Sequence, residues 1–205
     1  MSKQKEYWEN EYKFRKKDSY DDWLEKYTHE IENCKTKVLD LGCGVGNDTE
    51  FLIKHDKAVI SVDISQTALD RLKEQIQTAE TLCLDISQPL PFEDNSFDLI
   101  IANLSLHYFD YETTIKILNE IRRILTSGGK LIARLNSKND AKHGYGTGIK
   151  IEEDYFMQGE CPKRFFDTKS ASTLFRTIGS VKCEEITKMR FDKPRLFIEL
   201  VATKN

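Results

Sequence analysis

Three alternating glycines, Gly42, Gly44 and Gly46, follow the apolar run 38–41. Glycine has no Cβ and readily adopts positive φ, so such a turn lets the backbone approach a ligand closely. A helix that begins directly after the turn would direct its free N–H groups at the same ligand. The pattern therefore predicts a nucleotide-like ligand at a strand-to-helix turn.

The spacing of the glycines bears on which ligand this is. A dinucleotide fingerprint has its third glycine three residues after the second, and here that position is Asn47. Asp40 lies two residues before the first glycine. A carboxylate there would repel a pyrophosphate and favour a ligand with a positively charged amino acid portion. Nicotinamide dinucleotides are therefore disfavoured.

Strands and helices must alternate around this turn to position it. The apolar runs predict strands over 38–41, 58–62, 81–84, 97–102 and 130–135, with helices over 48–54, 65–76 and 111–125. Continuous apolar strands that alternate with helices indicate a parallel sheet covered on both faces. A helix over 168–177 and two consecutive strands, over 181–188 and 196–202, predict an antiparallel hairpin at the end. Ser65 and Asp167 are the expected helix caps.

Two segments fall outside this alternation. Residues 1–34 predict a helical extension that acts as a lid or cap over the substrate, with Asp21 or Asp22 as the cap of its second helix. Its aromatic and apolar positions are Tyr7, Trp8, Tyr12, Trp23, Tyr27 and Ile31. These aromatics would either line a substrate pocket or attach the extension to the domain. The polar stretch 136–164 is long for a plain loop and predicts an inserted lid or a mobile segment within a domain that spans 35–205.

The pattern D-x-G-x-G-x-G, from Asp40 to Gly46, resembles motif I of the class I S-adenosylmethionine-dependent methyltransferases, and the resemblance covers about residues 35–205. It is also distantly similar to the bacterial tellurite-resistance and small-metabolite enzymes. The resemblance implies an α/β, Rossmann-like, doubly wound fold. Its sheet would have seven mostly parallel strands with a C-terminal antiparallel hairpin and helices on both faces. It also implies S-adenosyl-L-methionine as cofactor and methyl transfer by in-line displacement.

The resemblance also implies roles for single residues. Asp40 would contact the amino acid end of the cofactor directly or through water, and Gly42 and Gly44 would let the turn pass beneath it. Asp63 would accept hydrogen bonds from both ribose hydroxyls, unless it is only a loop acid or a helix cap. Asp85 would accept from the adenine amino group, unless it only starts a turn. Further cofactor contacts are expected from Cys43, Asn47, Ile64, Ile86 and Asn103.

His107 follows the fourth strand, in the region that borders the transferred methyl in the family the chain resembles. A histidine has an ordinary pKa near 6.5 and is suited to general-base work. A base helps only if the acceptor atom carries a proton to lose. The alternative, of equal weight, is that His107 packs against the cofactor or caps the next helix.

Composition restricts the compartment and the metal chemistry. The 205 residues are 32% charged and 39% hydrophobic, which is typical of one soluble domain without a membrane segment. The five cysteines are odd in number, and they show no C-x-x-C spacing. We therefore expect no disulfide framework and no metal site, and a cytoplasmic location.

Charge and motif content restrict the partners. The net charge of −3 disfavours nucleic acid, and the Asn-Pro-Pro-Tyr signature of amino-methylating DNA enzymes is absent from the sequence. We therefore expect a small-molecule methyl acceptor, no DNA, with RNA disfavoured, and a monomer or homodimer. An RNA or protein methyltransferase, and a cofactor-binding subunit without catalysis, remain the alternative functions.

Overall fold

The fold is given by a computed structural model that describes residues 2–14, 22–140, 144–190 and 193–205. The strands in chain order are β1 Val38–Leu41, β2 Val59–Asp63, β3 Glu80–Cys83, β4 Phe97–Asn103, β5 Leu125–Asn136, β6 Ile149–Glu152, β7 Tyr155–Gln158, β8 Cys161–Arg164, β9 Gly179–Arg190 and β10 Lys193–Lys204. The helices are α1 Lys3–Phe14, α2 Thr28–Glu32, α3 Asn47–Lys54, α4 Gln66–Gln75, α5 Tyr111–Ile124 and α6 Thr168–Phe175, and a 3-10 turn, Glu25–Tyr27, precedes α2.

Seven of these strands form one sheet, in the order β3-β2-β1-β4-β5-β10-β9. β1 pairs in parallel with β2 and with β4, and β10 runs antiparallel to both β5 and β9. The predicted fold class, a mostly parallel doubly wound sheet that ends in an antiparallel hairpin, is confirmed. The order of the strands reverses between β1 and β4, and α/β sheets bind ligands at such a point.

The predicted helix caps follow from short polar side chains at the right positions. The Ser65 hydroxyl accepts a hydrogen bond from the Ala68 N–H at 3.1 Å, which caps α4. Asp167 accepts from the Ser170 N–H at 2.6 Å, and the Ser170 hydroxyl accepts in return from the Asp167 N–H at 3.0 Å. This capping box fixes the start of α6.

Apolar residues are buried on both faces of the sheet. One cluster packs α5 and α6 against β4 and β5, with Leu118 and Phe175 fully buried. The second lies on the other face and contains the predicted stripe of Trp23, Tyr27 and Ile31. The N-terminal extension therefore contributes directly to the core of the domain.

The prediction of one continuous, capped helix through that stripe was wrong. The segment forms the 3-10 turn and the five-residue α2, and the residue flanking the 3-10 turn has no side-chain cap. Asp22 has a φ of +54°, and its carboxylate accepts a hydrogen bond from Lys188 Nζ at 2.7 Å. The other candidate cap, Asp21, lies outside the described residues.

The stretch 136–164 contains regular structure that the sequence analysis did not predict. β6, β7 and β8 form a separate three-stranded antiparallel sheet, which we call the small sheet. β5 also begins earlier than predicted, because Leu125 pairs with Phe97 before the register shifts and Lys130 pairs with Leu99. Among the described residues, no helix is long and apolar enough to cross a membrane.

Candidate functional site

A cavity of about 270 Å³ lies at the carboxyl edge of the large sheet, where the strand order reverses. Its lining residues come from the glycine turn, the ends of β2, β4 and β5, the segments after β3 and β4, α1, β8 and β10. They are Gln4, Trp8, Tyr12, Gly42, Cys43, Gly44, Val45, Asn47, Asp48, Asp63, Ile64, Leu84, Asp85, Ile86, Asn103, Leu104, Ser105, His107, Tyr108, Phe109, Asn136, Lys163 and Arg195.

The glycine turn forms the floor of the cavity. Gly42 and Gly44 have φ values of +81° and +54°, in the left-handed region where a side chain is strained. A Cβ on Gly42 would overlap with the side chain of Ser105, whose hydroxyl donates to the Leu41 carbonyl oxygen at 2.6 Å. A Cβ on Gly44 would lie 2.7 Å from the Tyr12 hydroxyl oxygen. The missing side chains therefore let two neighbouring segments close on the turn.

Asp63 ends β2 and presents a buried carboxylate to the cavity. Its two oxygens accept from the N–H groups of Gly44 and Ser65, each at 2.9 Å. Burial raises the pKa of this carboxyl to about 6, against the effect of those hydrogen bonds. The group is fixed in place and is ionised at neutral pH.

Other predicted residues also line the cavity. Asp85 follows β3 and accepts from the Ser87 N–H at 2.9 Å, so it shapes a turn as well as facing the cavity. Ile64 and Ile86 provide apolar surface beside the two acids. Burial raises the pKa of the Cys43 thiol well above its ordinary value, so this side chain is neutral filler. Asn47, the first residue of α3, lines the cavity as well.

Asp40 does not line the cavity, which argues against direct contact with the ligand and leaves the predicted contact through water as the alternative. Its carboxyl group is 1% exposed and accepts from the Thr49 hydroxyl at 2.6 Å. Burial and the nearby Asp48 raise the pKa of Asp40 well above its ordinary value. The acidic position of the glycine motif thus lies beneath the turn because alternate side chains of a strand point to opposite faces.

Asp48 lines the cavity instead, and the sequence analysis missed it. One carboxylate oxygen accepts from Trp23 Nε1 at 2.7 Å, and the other accepts from Asn103 Nδ2 at 2.8 Å. The Asn103 side-chain oxygen accepts in turn from Arg134 Nε at 2.9 Å. The Arg134 guanidinium lies 4.9 Å from the ring centres of both Trp23 and Phe197. This network fixes Asp48 and Asn103 at the cavity. The first turn of a helix, where Asp48 stands, is also a favourable place for a carboxylate.

Helix α1 covers part of the cavity with Gln4, Trp8 and Tyr12, although none of its residues is buried. The rings of Trp8 and Tyr12 stack with centroids 5.6 Å apart, and Trp8 also meets the ring of Tyr108 edge-on at 5.1 Å. Both roles predicted for the aromatic residues of the extension therefore occur, each in a different part of it. Trp8 lines the cavity, and Trp23 belongs to the core.

Glu9 fastens α1 to the start of α4. Its carboxylate accepts from the Ser65 hydroxyl at 3.0 Å and from the N–H groups of Gln66 and Thr67 at 2.9 and 3.0 Å. Partial burial opposes ionisation, but these hydrogen bonds hold the pKa of Glu9 down at about 2. A carboxylate on one helix therefore caps the N-terminus of another.

His107 is 2% exposed and lines the cavity. Its ring lies 4.2 Å from the ring of Tyr108, and its backbone oxygen accepts from the Arg164 N–H at 2.7 Å. It does not cap α5, because that cap is the side chain of Asp110. Of the alternatives, packing inside the cavity and service as a base both fit its position.

Asn136, Lys163 and Arg195 were also missed as cavity residues. They stand on β5, β8 and β10, far from the glycine motif in sequence. No local pattern distinguishes them from surface residues, so only the packing of the small sheet and the hairpin brings them to the site. Among the described residues, no group of three histidine, cysteine or acidic side chains could hold a metal ion.

Comparison with known proteins identifies the domain. Residues 39–133 match the family described as Methyltransferase domain. Over 172 residues, the chain is 27% identical to tRNA N(3)-cytidine methyltransferase METTL2 of Danio rerio, covering 78% of this chain and 49% of that protein. Over 184 residues it is 26% identical to an uncharacterised methyltransferase of Mycobacterium tuberculosis, covering 90% and 68%. The chain spans about half the length of the former relative.

Solved structures share the fold. A SAM-dependent methyltransferase from Methanosarcina mazei superimposes with a TM-score of 0.69 at 22% identity, over 84% of this chain and 93% of that one. A 1,6-didemethyltoxoflavin-N1-methyltransferase from Burkholderia thailandensis, solved with bound 1,6-didemethyltoxoflavin and S-adenosylhomocysteine, gives a TM-score of 0.67 at 18% identity, over 88% of this chain and 76% of that one.

Proposed function

Since the chain belongs to the class I S-adenosylmethionine-dependent methyltransferases, we propose that it transfers the methyl group of S-adenosyl-L-methionine to a small-molecule acceptor. One observation carries the proposal. The glycine turn, the buried carboxylate of Asp63 and the carboxyl-edge cavity coincide at the point where the strand order reverses. The cofactor would supply an activated methyl group, so the protein would mainly supply proximity, alignment and exclusion of water.

The cavity residues fit the chemistry of this cofactor. Gly42 and Gly44 leave room where a Cβ would collide with neighbouring side chains. Asp63 would accept from the ribose hydroxyls, and Asp85 from the adenine amino group. Charge-assisted hydrogen bonds of this kind contribute about 1.5–3 kcal/mol each. Ile64 and the buried Ile86 would pack against the adenine ring.

Asp48, Asn103 and Asn47 would hold the amino acid end of the cofactor. The Asp48 carboxylate is fixed by Trp23 and Asn103, so it is pre-organised to attract an ammonium group. Asp40 would then act as a support, through Thr49 at the start of α3.

The cover over the cavity supports a small acceptor. Trp8 and Tyr12 of α1 lie on one side of the cavity and Lys163 of the small sheet lines another, so the cavity is partly covered. RNA methylation is the second candidate, favoured by the similarity to the fish tRNA enzyme. A nucleic-acid substrate would need a broad basic face, and the net charge of −3 disfavours it. We also propose a cytoplasmic location, where thiols such as those of the five cysteines stay reduced.

We further propose that His107 acts at the acceptor, as a general base when the acceptor atom carries a proton. Its burial beside Tyr108 fixes the ring, and the side chain lines the cavity. His107→Ala and His107→Gln would lower the turnover rate by about 100-fold, within the range that general bases contribute, while binding of S-adenosylhomocysteine stays unchanged. An unchanged turnover rate would remove the base role.

The first experiment is calorimetric titration of the protein with S-adenosylhomocysteine and with NAD. We expect binding of the former alone. Radiolabelled methyl transfer from S-adenosylmethionine into a cell lysate, separated into small-molecule, RNA and protein fractions, then identifies the acceptor class. Label in RNA or protein would overturn the small-molecule proposal. Cofactor binding without label in any fraction would favour a non-catalytic or partner-dependent subunit.

A further inference from the structure

The cavity is lined by three carboxylates, those of Asp48 on α3 and of Asp63 and Asp85, and by two cations that come from other elements. The carboxylates of Asp63 and Asp85 belong to the ends of β2 and β3, on one side of the strand-order reversal. The cations Lys163 and Arg195 come from β8 and β10. Four strand spacings of about 4.8 Å separate β2 from β10, which places these two strands about 19 Å apart along the edge.

Arg195 is directed to this edge by the antiparallel hairpin. β10 runs opposite to β5, so its first residues lie beside the end of β5, where Asn136 pairs with Phe197. Arg195 Nε donates to the buried carboxylate of Asp140 at 2.7 Å, which orients the guanidinium. This contact is an ion pair, so Asp140 offsets part of the guanidinium charge, and it engages one of the five N–H donors of a group that lines the cavity.

Lys163 is placed by the small sheet. The next residue, Arg164, donates its backbone N–H to the carbonyl oxygen of His107 at 2.7 Å. β8 is therefore fastened to the segment that carries the candidate base, and the Lys163 side chain lines the same cavity. The amide of Asn136 adds a neutral hydrogen-bonding group to this part of the wall.

We propose that the methyl acceptor carries an anionic group, a carboxylate or a phosphate, which Lys163 and Arg195 bind beside His107. This inference rests on the proposed function and specifies its substrate class. Charge-assisted hydrogen bonds from ammonium and guanidinium groups to such oxyanions are stronger than neutral ones, so these two residues would orient the acceptor.

The test uses protein saturated with S-adenosylhomocysteine, at constant ionic strength. Sodium phosphate, sodium acetate and neutral acetamide are titrated while tryptophan fluorescence and the melting temperature are followed, since Trp8 lines the cavity. We expect one or both anions to bind in a saturable manner and acetamide to have no effect. Responses to phosphate and to acetate that are both no larger than the response to acetamide would overturn the proposal. The comparison of phosphate with acetate decides which oxyanion the site prefers.

Substitutions of the two cations test whether the anion binds at Lys163 and Arg195. Lys163→Gln and Arg195→Gln should each weaken anion binding about tenfold, the loss of roughly one charge-assisted hydrogen bond. Lys150→Gln is the matched control, because Lys150 is exposed on the small sheet and pairs with Glu153 at 2.6 Å. If Arg195→Gln destabilises the protein by leaving Asp140 unpaired, Arg195→Lys keeps the charge and should retain part of the binding. An equal effect of Lys150→Gln would contradict the proposal.

The charge of the methyl acceptor itself provides a second test. Radiolabelled small molecules from the lysate assay are passed over an anion-exchange column, and we expect the label in the retained fraction. Label in the flow-through would overturn the inference and leave the methyltransferase proposal intact. Failure of S-adenosylhomocysteine to bind at the outset would instead overturn the proposed function. A short oligoribonucleotide that displaces phosphate more effectively than phosphate monoesters do would assign the anion to RNA and overturn the small-molecule class.

Discussion

The floor and the cover of the cavity are built in contrasting ways. The floor consists of the ends of β1 and β2 and the glycine turn, where β1 is buried throughout and Asp63 is 6% exposed. The main cover is α1, which has no buried residue and is held by Glu9 and by ring contacts. A buried floor maintains binding geometry without ligand, whereas a helix held by exposed polar contacts opens at low free energy. We therefore expect the floor to set cofactor affinity and the cover to control access.

The largest effect should come from filling the floor. Gly42→Ala places a Cβ onto the side chain of Ser105 at a φ of +81°. Overpacking and left-handed strain together should lower the free energy of unfolding by about 3 kcal/mol or more, measured by urea denaturation. Gly128→Ala is the control, because its φ is +77° and no atom lies within 4 Å of the added Cβ. Equal destabilisation by both variants would show that strain alone acts at Gly42.

The next effect concerns the charge at the floor. Asp63→Asn removes the ionised acceptor proposed for the ribose hydroxyls, and it should weaken binding of S-adenosylhomocysteine at least about tenfold by calorimetry. Asp70→Asn, on the exposed face of α4, serves as the control. An unchanged affinity in Asp63→Asn would remove its role as the ribose ligand.

The raised pKa of Asp63 gives a pH dependence with a defined sign. The pKa is about 6 in the folded protein, so the carboxylate is ionised above that pH and protonated below it. Binding that requires the ionised form should be constant from pH 8 to 7 and weaken as the pH falls through 6. Glu9 and Asp40 are titratable neighbours of Asp63. Binding is therefore also measured against pH in Asp63→Asn, to separate the contribution of Asp63 from theirs. A flat profile in both proteins would contradict the assignment.

A smaller effect distinguishes two acids near the amino acid end of the cofactor. Asp48→Asn should weaken S-adenosylhomocysteine binding about tenfold, because Asp48 lines the cavity and is fixed by two hydrogen bonds. Asp40→Asn should change the affinity less, since that carboxyl group is buried against Thr49. The reverse order of affinities would restore the direct contact that the motif predicts.

The smallest effect concerns the cover. Glu9→Gln weakens the cap on α4 and should lower the free energy of opening α1 by about 1 kcal/mol. We expect faster hydrogen exchange of the amides in α1 and little change for the amides of the floor. The pKa of Glu9 is about 2 in the folded protein, below its ordinary value of 4.5. The stability that the ionised Glu9 contributes is therefore fully present above pH 4.5 and is lost as the pH falls toward 2. The exposed Glu6 on the same helix provides the control, Glu6→Gln. Equal exchange in both variants would contradict the fastening role.

Local patterns predicted most of the floor. The glycine spacing and the acids at two strand ends could be recognised in the sequence, because a strand end and the turn that follows it are adjacent in the chain. Asp40 was the exception, since the motif shows that an acid is present and not which face of the strand it occupies. Asp48 lacked a separate signal, and its role depends on contacts with Trp23 and Asn103.

The sequence by itself determined the class of fold and the position of the turn, because short-range periodicity encodes them. Only the tertiary structure decided that Trp23 of the extension belongs to the core, that α1 is the part that covers the cavity, and that Lys163 and Arg195 enter its wall. The physical reason is distance along the chain. Contacts between segments that are far apart in the chain follow from the register of the hairpin and the docking of the small sheet, and no local spacing records them.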